Sequence, residues 1–146
     1  FPQADDLNKI IKIITTNENQ LNADYLKARL NLGTIRQIGY YFSACRFLGV
    51  LDSENHFTDF GIKLRMVSED TMFLLLSKKI ISKDVFGECF FGSLKNKEIM
   101  SRDNVAQLIL TLTEVGTYSV AYRRSQTVIS WTKAIMNYYG LITNQS

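Results

Sequence analysis

Apolar residues recur along much of this chain at the spacing of amphipathic helices. Leu7, Ile10, Ile11 and Ile14 fall on one face of a helix that Asp5 or Asp6 can cap and that Thr15-Thr16-Asn17 ends. Asn22 caps a shorter second helix carrying Tyr25, Leu26 and Leu30. Asn31-Leu32-Gly33 reads as a tight turn in which Gly33 takes positive φ. Thr34 then caps a third helix from Ile35 to about Leu48. Its apolar stripe is Ile35, Ile38, Phe42 and Cys45, and Arg36, Gly39, Tyr40, Ser43 and Arg46 face the other way. Three short helices with a glycine turn before the third form the helix-turn-helix pattern.

Two short strand patterns follow, Val50-Leu51-Asp52 and His56-Phe57-Thr58, around the polar turn Ser53-Glu54-Asn55. A hairpin in that place is a wing. Thr58 or Asp59 caps a further helix, Phe60 to Val67. His56 sits near the hairpin tip, where a solvated side chain is the simpler account than a pH switch. From Ser68 to Asn96 the pattern stays helical and is rich in Phe, with starts at Ser68-Glu69 and at Ser82 or Asp84. Phe73, Phe86, Phe90 and Phe91 read as packing material rather than as a partner groove. Ser101 caps another helix, whose expected buried stripe is Val105, Leu108, Ile109 and Leu112.

The last helix pattern is the most two-sided. Over Arg123 to Tyr139, Val128, Trp131, Ile135 and Tyr138 line up as an apolar stripe. Arg123, Gln126, Thr127, Ser130, Lys133 and Asn137 gather opposite, and no acidic residue follows Glu114. A solvated amphipathic face is the plain reading of this pattern. Arg, Gln, Ser, Thr and Asn are also the side chains that bond to phosphates and base edges. The turn before this helix is expected from Thr113 to Tyr122, so Arg123 and Arg124 would open the helix at its positive end.

A possible duplication strengthens the second reading. Gly49-Val50-Leu51 aligns with Gly140-Leu141-Ile142, and the preceding helices then match without a gap, Tyr40 to Trp131 and Leu48 to Tyr139. The expected architecture is mainly α with short β wings: tandem winged helix-turn-helix units joined by a helical middle segment. The first unit covers 1–67, a connector packing on both units covers 68–99, and the second covers 100–146, truncated at its wing. A chain that opens at Phe1 without Met and stops where a new strand would begin is expected to be a piece of a longer protein.

The run Arg123-Arg124-Ser125-Gln126-Thr127-Val128-Ile129-Ser130-Trp131 resembles a signature of winged-helix domains attached to bacterial restriction endonucleases. Gly33 to Tyr41, continuing through Phe47-Leu48-Gly49-Val50-Leu51, resembles the first half of the same tandem module. The resemblance covers about Tyr25 to Ile142, and Gly39 stands where a basic residue is expected. It implies recognition of double-stranded DNA, with cleavage left to a nuclease domain in the same or a longer polypeptide. The DNA-binding residues expected on this basis are Arg36, Tyr40, Ser43 and Arg46, then Tyr122, Arg123, Arg124, Gln126, Thr127, Ser130 and Lys133. Trp131 is expected to pack rather than read bases.

Composition narrows the alternatives. With 46% hydrophobic and 21% charged residues the chain is a globular one, and its net charge of +3 is too small for general polyelectrolyte binding. Two separated cysteines without CxxC and a single histidine supply too few ligands for zinc. Buried thiols in a reducing cytoplasm, with no cofactor, are the expectation. No apolar run reaches the length of a membrane span, and no signal-peptide pattern opens the chain. No Asp or Glu is followed two places on by Lys, the arrangement that binds Mg²⁺ in many restriction nucleases, and no phosphate loop or nucleophile elbow occurs. The chain is therefore expected not to be an enzyme itself. The competing readings are a winged-helix protein-interaction or dimerisation module and a stand-alone transcriptional regulator.

Overall fold

The computed structural model describes residues 2–142. Among them the chain is mainly helical, with eight α-helices, one short 3-10 turn and no β-strand. The chain divides into two compact units between Leu76 and Ser77.

In the first unit the helices begin where capping side chains stand. Asp6 accepts from the Asn8 N–H to open α1 (Leu7–Ile14). Asn22 accepts from the Tyr25 N–H to open α2 (Ala23–Arg29). Thr34 opens α3 (Ile35–Phe47) with a complete capping box, in which its hydroxyl accepts from the Gln37 N–H and the Gln37 amide oxygen accepts from the Thr34 N–H. Thr58 opens α4 (Asp59–Met66). Helix α3 packs against α1 and α2, and α1 against α4. Ile10, Ile14, Leu26, Leu30, Ile38, Cys45 and Leu64 are buried there. Arg65 ties α4 to the end of α1, donating to the Ile14 carbonyl at 2.7 Å and to that of Thr16, while its guanidinium lies over the Phe57 ring at 4.8 Å.

Three local expectations are corrected in this unit. The positive φ before α3 falls on Asn31 (φ 53°) and not on Gly33. Asn tolerates that conformation better than most residues, so the left-handed residue comes two positions earlier. Ile35 is 54% exposed. The buried face of α3 includes Tyr41 and Ala44 and is thereby rotated away from it. The two expected strands shrink to one antiparallel bridge between Leu51 and Phe57. The Val50 carbonyl is taken by the Thr58 N–H as the chain turns straight into α4, so no ladder has room to grow.

Helix α5 (Glu69–Ile81) carries the chain across the unit boundary. In the second unit α6 (Asp84–Asn96), α7 (Arg102–Leu112) and α8 (Tyr118–Tyr138) pack against one another. Trp131 is fully buried and stacks on Phe86, with ring centroids 5.0 Å apart, as its packing role requires. Val105, Ile109, Val128, Ile135 and Met136 complete this core. Thr132 is buried too, its hydroxyl donating to the Val128 carbonyl at 2.8 Å. Leu112 (41% exposed) and Tyr138 (46% exposed) lie outside it, at the C-terminal ends of their helices.

Helix α8 begins earlier than its composition implies. The expected turn from Thr113 to Tyr122 stops at Thr117, and Tyr118 to Tyr122 are already helical. Arg102 holds this extra length in place. Its guanidinium lies 4.1 Å from the Tyr122 ring, and it donates to the Tyr122 carbonyl at 2.7 Å and to the Ser125 hydroxyl at 3.2 Å. The Tyr118 hydroxyl donates to the Asp103 carboxylate, which raises the phenol pKa.

Candidate functional site

The polar face of α3 is built around Arg36, Tyr40, Ser43 and Arg46. Arg36, Ser43 and Arg46 are exposed and Tyr40 is half-buried. The Arg36 guanidinium lies over the Tyr40 ring at 5.6 Å. Arg46 donates to the Ser43 hydroxyl at 3.1 Å and to the Asn55 amide oxygen in the hairpin turn. That turn therefore belongs to the same surface as the helix. Asp52, in the turn, accepts from the backbone N–H groups of His56 and Glu54, and these bonds lower its carboxyl pKa. His56 is exposed and borders an open groove with Asn17, Glu18 and Asn19.

On α8, Tyr122, Arg123 and Gln126 are exposed, and Ser130 and Lys133 are half-buried. Gln126 and Ser130 stand one turn apart, amide nitrogen to hydroxyl 3.5 Å. Gln126, Ile129, Ser130 and Lys133 form one wall of a cleft of about 490 Å³, and Glu98, Ile99, Met100 and Arg102 form the other. Periodicity could not signal the second wall, because it comes from the loop before α7 and from that helix's first turn. Arg102 and Glu98 are thus residues of this surface that the sequence pattern leaves out.

Two expected site residues are placed differently. Thr127 is 1% exposed and faces the core. Helix α8 packs against both α6 and α7, so its buried band is wider than a single apolar stripe and takes in positions flanking Val128. Arg124 is half-buried, its Nε enclosed and without a hydrogen-bond partner. Neither Arg123 nor Arg124 opens the helix, since α8 starts at Tyr118. The helix's positive end lies more than a turn away and lends these two side chains little.

The two helices share an ending. In α3 the Gly49 N–H donates to the Arg46 carbonyl and the Val50 N–H to that of Cys45. In α8 the Gly140 N–H donates to the Asn137 carbonyl and the Leu141 N–H to that of Met136. Both glycines have positive φ, 73° and 62°. Each is a Schellman turn. Counting back from the glycines, Ile38, Tyr41, Ala44 and Cys45 correspond to Ile129, Thr132, Ile135 and Met136, and all eight are buried.

Both cysteines are free and buried. Burial pushes the Cys45 thiol up to about 12, and raises that of Cys89 as well. Among the described residues no group of three or more His, Cys, Asp or Glu side chains is placed to hold a metal ion. None of the described helices is long and apolar enough to cross a membrane.

Residues 9–140 match the model of a family described as a domain of unknown function, DUF7226, and the chain belongs to that family. No curated protein and no solved structure gives a significant match.

Proposed function

For this member of the DUF7226 family we propose double-stranded DNA binding by tandem helix-turn-helix units, with α3 and α8 as the two recognition helices. The observation that carries this reading is the shared register of the two helices. Each ends in the same Schellman turn, and four positions counted back from it are buried in both helices. Each also turns toward solvent a face of Arg, Ser and amide or phenol side chains, with no Asp or Glu in the helix. Lysine and arginine on such a face meet phosphates, and Gln126 and Ser130 have the chemistry to read base edges. In the first unit the Leu51–Phe57 hairpin serves as an abbreviated wing, joined to α3 through Arg46 and Asn55.

In this reading the chain is the sequence-recognition part of a cytoplasmic restriction endonuclease, and strand cleavage belongs to a nuclease domain in the same or a longer polypeptide. The missing Asp/Glu-x-Lys pattern supports that division. The test is the affinity of the chain for duplex DNA across a salt series. Binding that weakens steeply as salt rises supports the proposal, and affinity that is absent or indifferent to salt refutes it.

A second reading, a protein-interaction module, is favoured by one observation. Phe91 (58% exposed) and Leu94 (36% exposed) lie on α6 outside its buried face. Concentration-dependent self-association that ends on replacing Phe91 and Leu94 by polar residues would support it.

A further inference from the structure

Four glycines lie inside helices among the described residues: Gly39, Gly61, Gly87 and Gly92. Three have a packing reason. A Cβ at Gly61 would press into the Val50 carbonyl oxygen, and one at Gly87 would come within 2.5 Å of that of Ile81. At Gly92 the space is filled by the Met100 methyl group, 2.7 Å away. Gly39 differs. It is exposed, it lies mid-helix in α3, its φ is not positive, and nothing lies within 4 Å of where its Cβ would be. Glycine at such a position weakens a helix relative to alanine, with no gain in packing or turn geometry inside the chain.

The surroundings indicate what comes there instead. Arg36 precedes Gly39 by one turn, and Ser43 and Arg46 follow at one and two turns on the same face. No acidic residue occurs in α3. Asp52 and Glu54 stand in the adjacent hairpin turn and not on the helix face, and Asp52 accepts from the backbone N–H groups of Glu54 and His56. A bare strip of helix backbone between two guanidinium groups fits a polyanion better than an apolar helix. We infer that Gly39 is the point where the sugar–phosphate backbone of duplex DNA comes against α3, the missing side chain bringing that strand within reach of Arg36, Ser43 and Arg46. The inference rests on the DNA-binding reading. It makes Gly39 a positioning residue, and it gives a physical role to the position where a basic residue is expected.

The test uses the full chain with Gly39→Ala and Gly39→Leu, and measures melting temperature and duplex affinity side by side. Alanine should raise the melting temperature by about 2–4 °C and weaken binding at least about fivefold. Leucine, also a good helix former, should weaken binding further without lowering the melting temperature. Increased stability with parent affinity for both variants overturns the inference. If the parent binds duplex and Arg123→Ala weakens it while both Gly39 variants bind normally, DNA binding survives and the role of Gly39 falls. Absence of any parent affinity for duplex removes both. If Gly39→Leu instead abolishes self-association seen by sedimentation and leaves DNA affinity intact, the occupant is a protein and the inference is likewise overturned.

Discussion

Thr34 shows what a single residue announces in sequence. A threonine before a helical pattern, with glutamine three positions on, specifies a capping box whatever surrounds it, and that box forms. Ile35, the next residue, shows the opposite. Its exposure depends on which neighbours bury α3, and those are separate helices, α1 and α2, whose placement the local pattern of α3 does not specify. Thr127 was hidden for the same reason, since a β-branched hydroxyl residue is equally at home on either face. Cys45 carries a pH effect that follows from burial alone. Its thiol has an ordinary pKa of 9.0 and rises to about 12 in the folded chain. Between those values the unfolded state has lost the proton and the folded state keeps it. The unfolded state binds fewer protons there, so stability falls as pH rises. The unfolding free energy of the parent, from urea denaturation, should fall from pH 9 to 11 more steeply than that of Cys45→Ala, by up to about 1 kcal/mol per pH unit. Other titrating groups are common to both chains and cancel in the difference. Parallel curves would show that the thiol is not shielded as described.

At the scale of elements, the C-terminal ends of α3 and α8 were legible because glycine at such an end is nearly diagnostic. The start of α8 was not. Thr117-Tyr118-Ser119-Val120 are weak helix formers, and the five added helical residues are held by Arg102 on Tyr122 and by Tyr118 on Asp103. Tertiary contacts of that kind leave no mark in local periodicity. The short hairpin was similarly over-read as two strands, because Val50, Leu51 and Phe57 have strand composition but Thr58 starts a helix at once. Two glycines give this scale a paired prediction. Gly140 has φ +62° and Gly116 has no positive φ, and an added Cβ would meet nothing within 4 Å at either. Sterics being equal, backbone conformation alone decides. Gly140→Ala should destabilise the chain by about 1 kcal/mol, through the left-handed residue. Gly116→Ala should be neutral or stabilise by up to about 1 kcal/mol, through the unfolded state. Chemical denaturation of the two variants measures both, and equal effects would mean that α8 does not need the Schellman turn.

For the whole molecule, the net charge of +3 conceals an uneven division. Residues 1–76 hold eight Lys and Arg against nine Asp and Glu, whereas residues 77–146 hold nine against five. If the chain binds a polyanion as proposed, the second unit supplies most of the attraction, and the first relies on where Arg36 and Arg46 stand. If both units contact one duplex at once, the electrostatic cost of losing a phosphate contact is registered separately in each. Arg123→Ala and Arg36→Ala should each flatten the slope of log K against log salt by roughly one unit, and the double variant by roughly two. Arg123→Ala should lower affinity for all sequences alike, because a phosphate contact carries no base information. Gln126→Ala and Ser130→Ala should instead change which duplex is preferred from a randomised pool, by about 1–3 kcal/mol where a bidentate base contact is lost and less for a single bond. These outcomes separate the arrangements sharply. Should Arg36→Ala keep the parent slope while Arg123→Ala does not, only the second unit touches DNA and the tandem reading fails. Should the Gln126 and Ser130 variants keep the parent preference, the wall of the α8 cleft formed by Gln126 and Ser130 is not the base-reading surface.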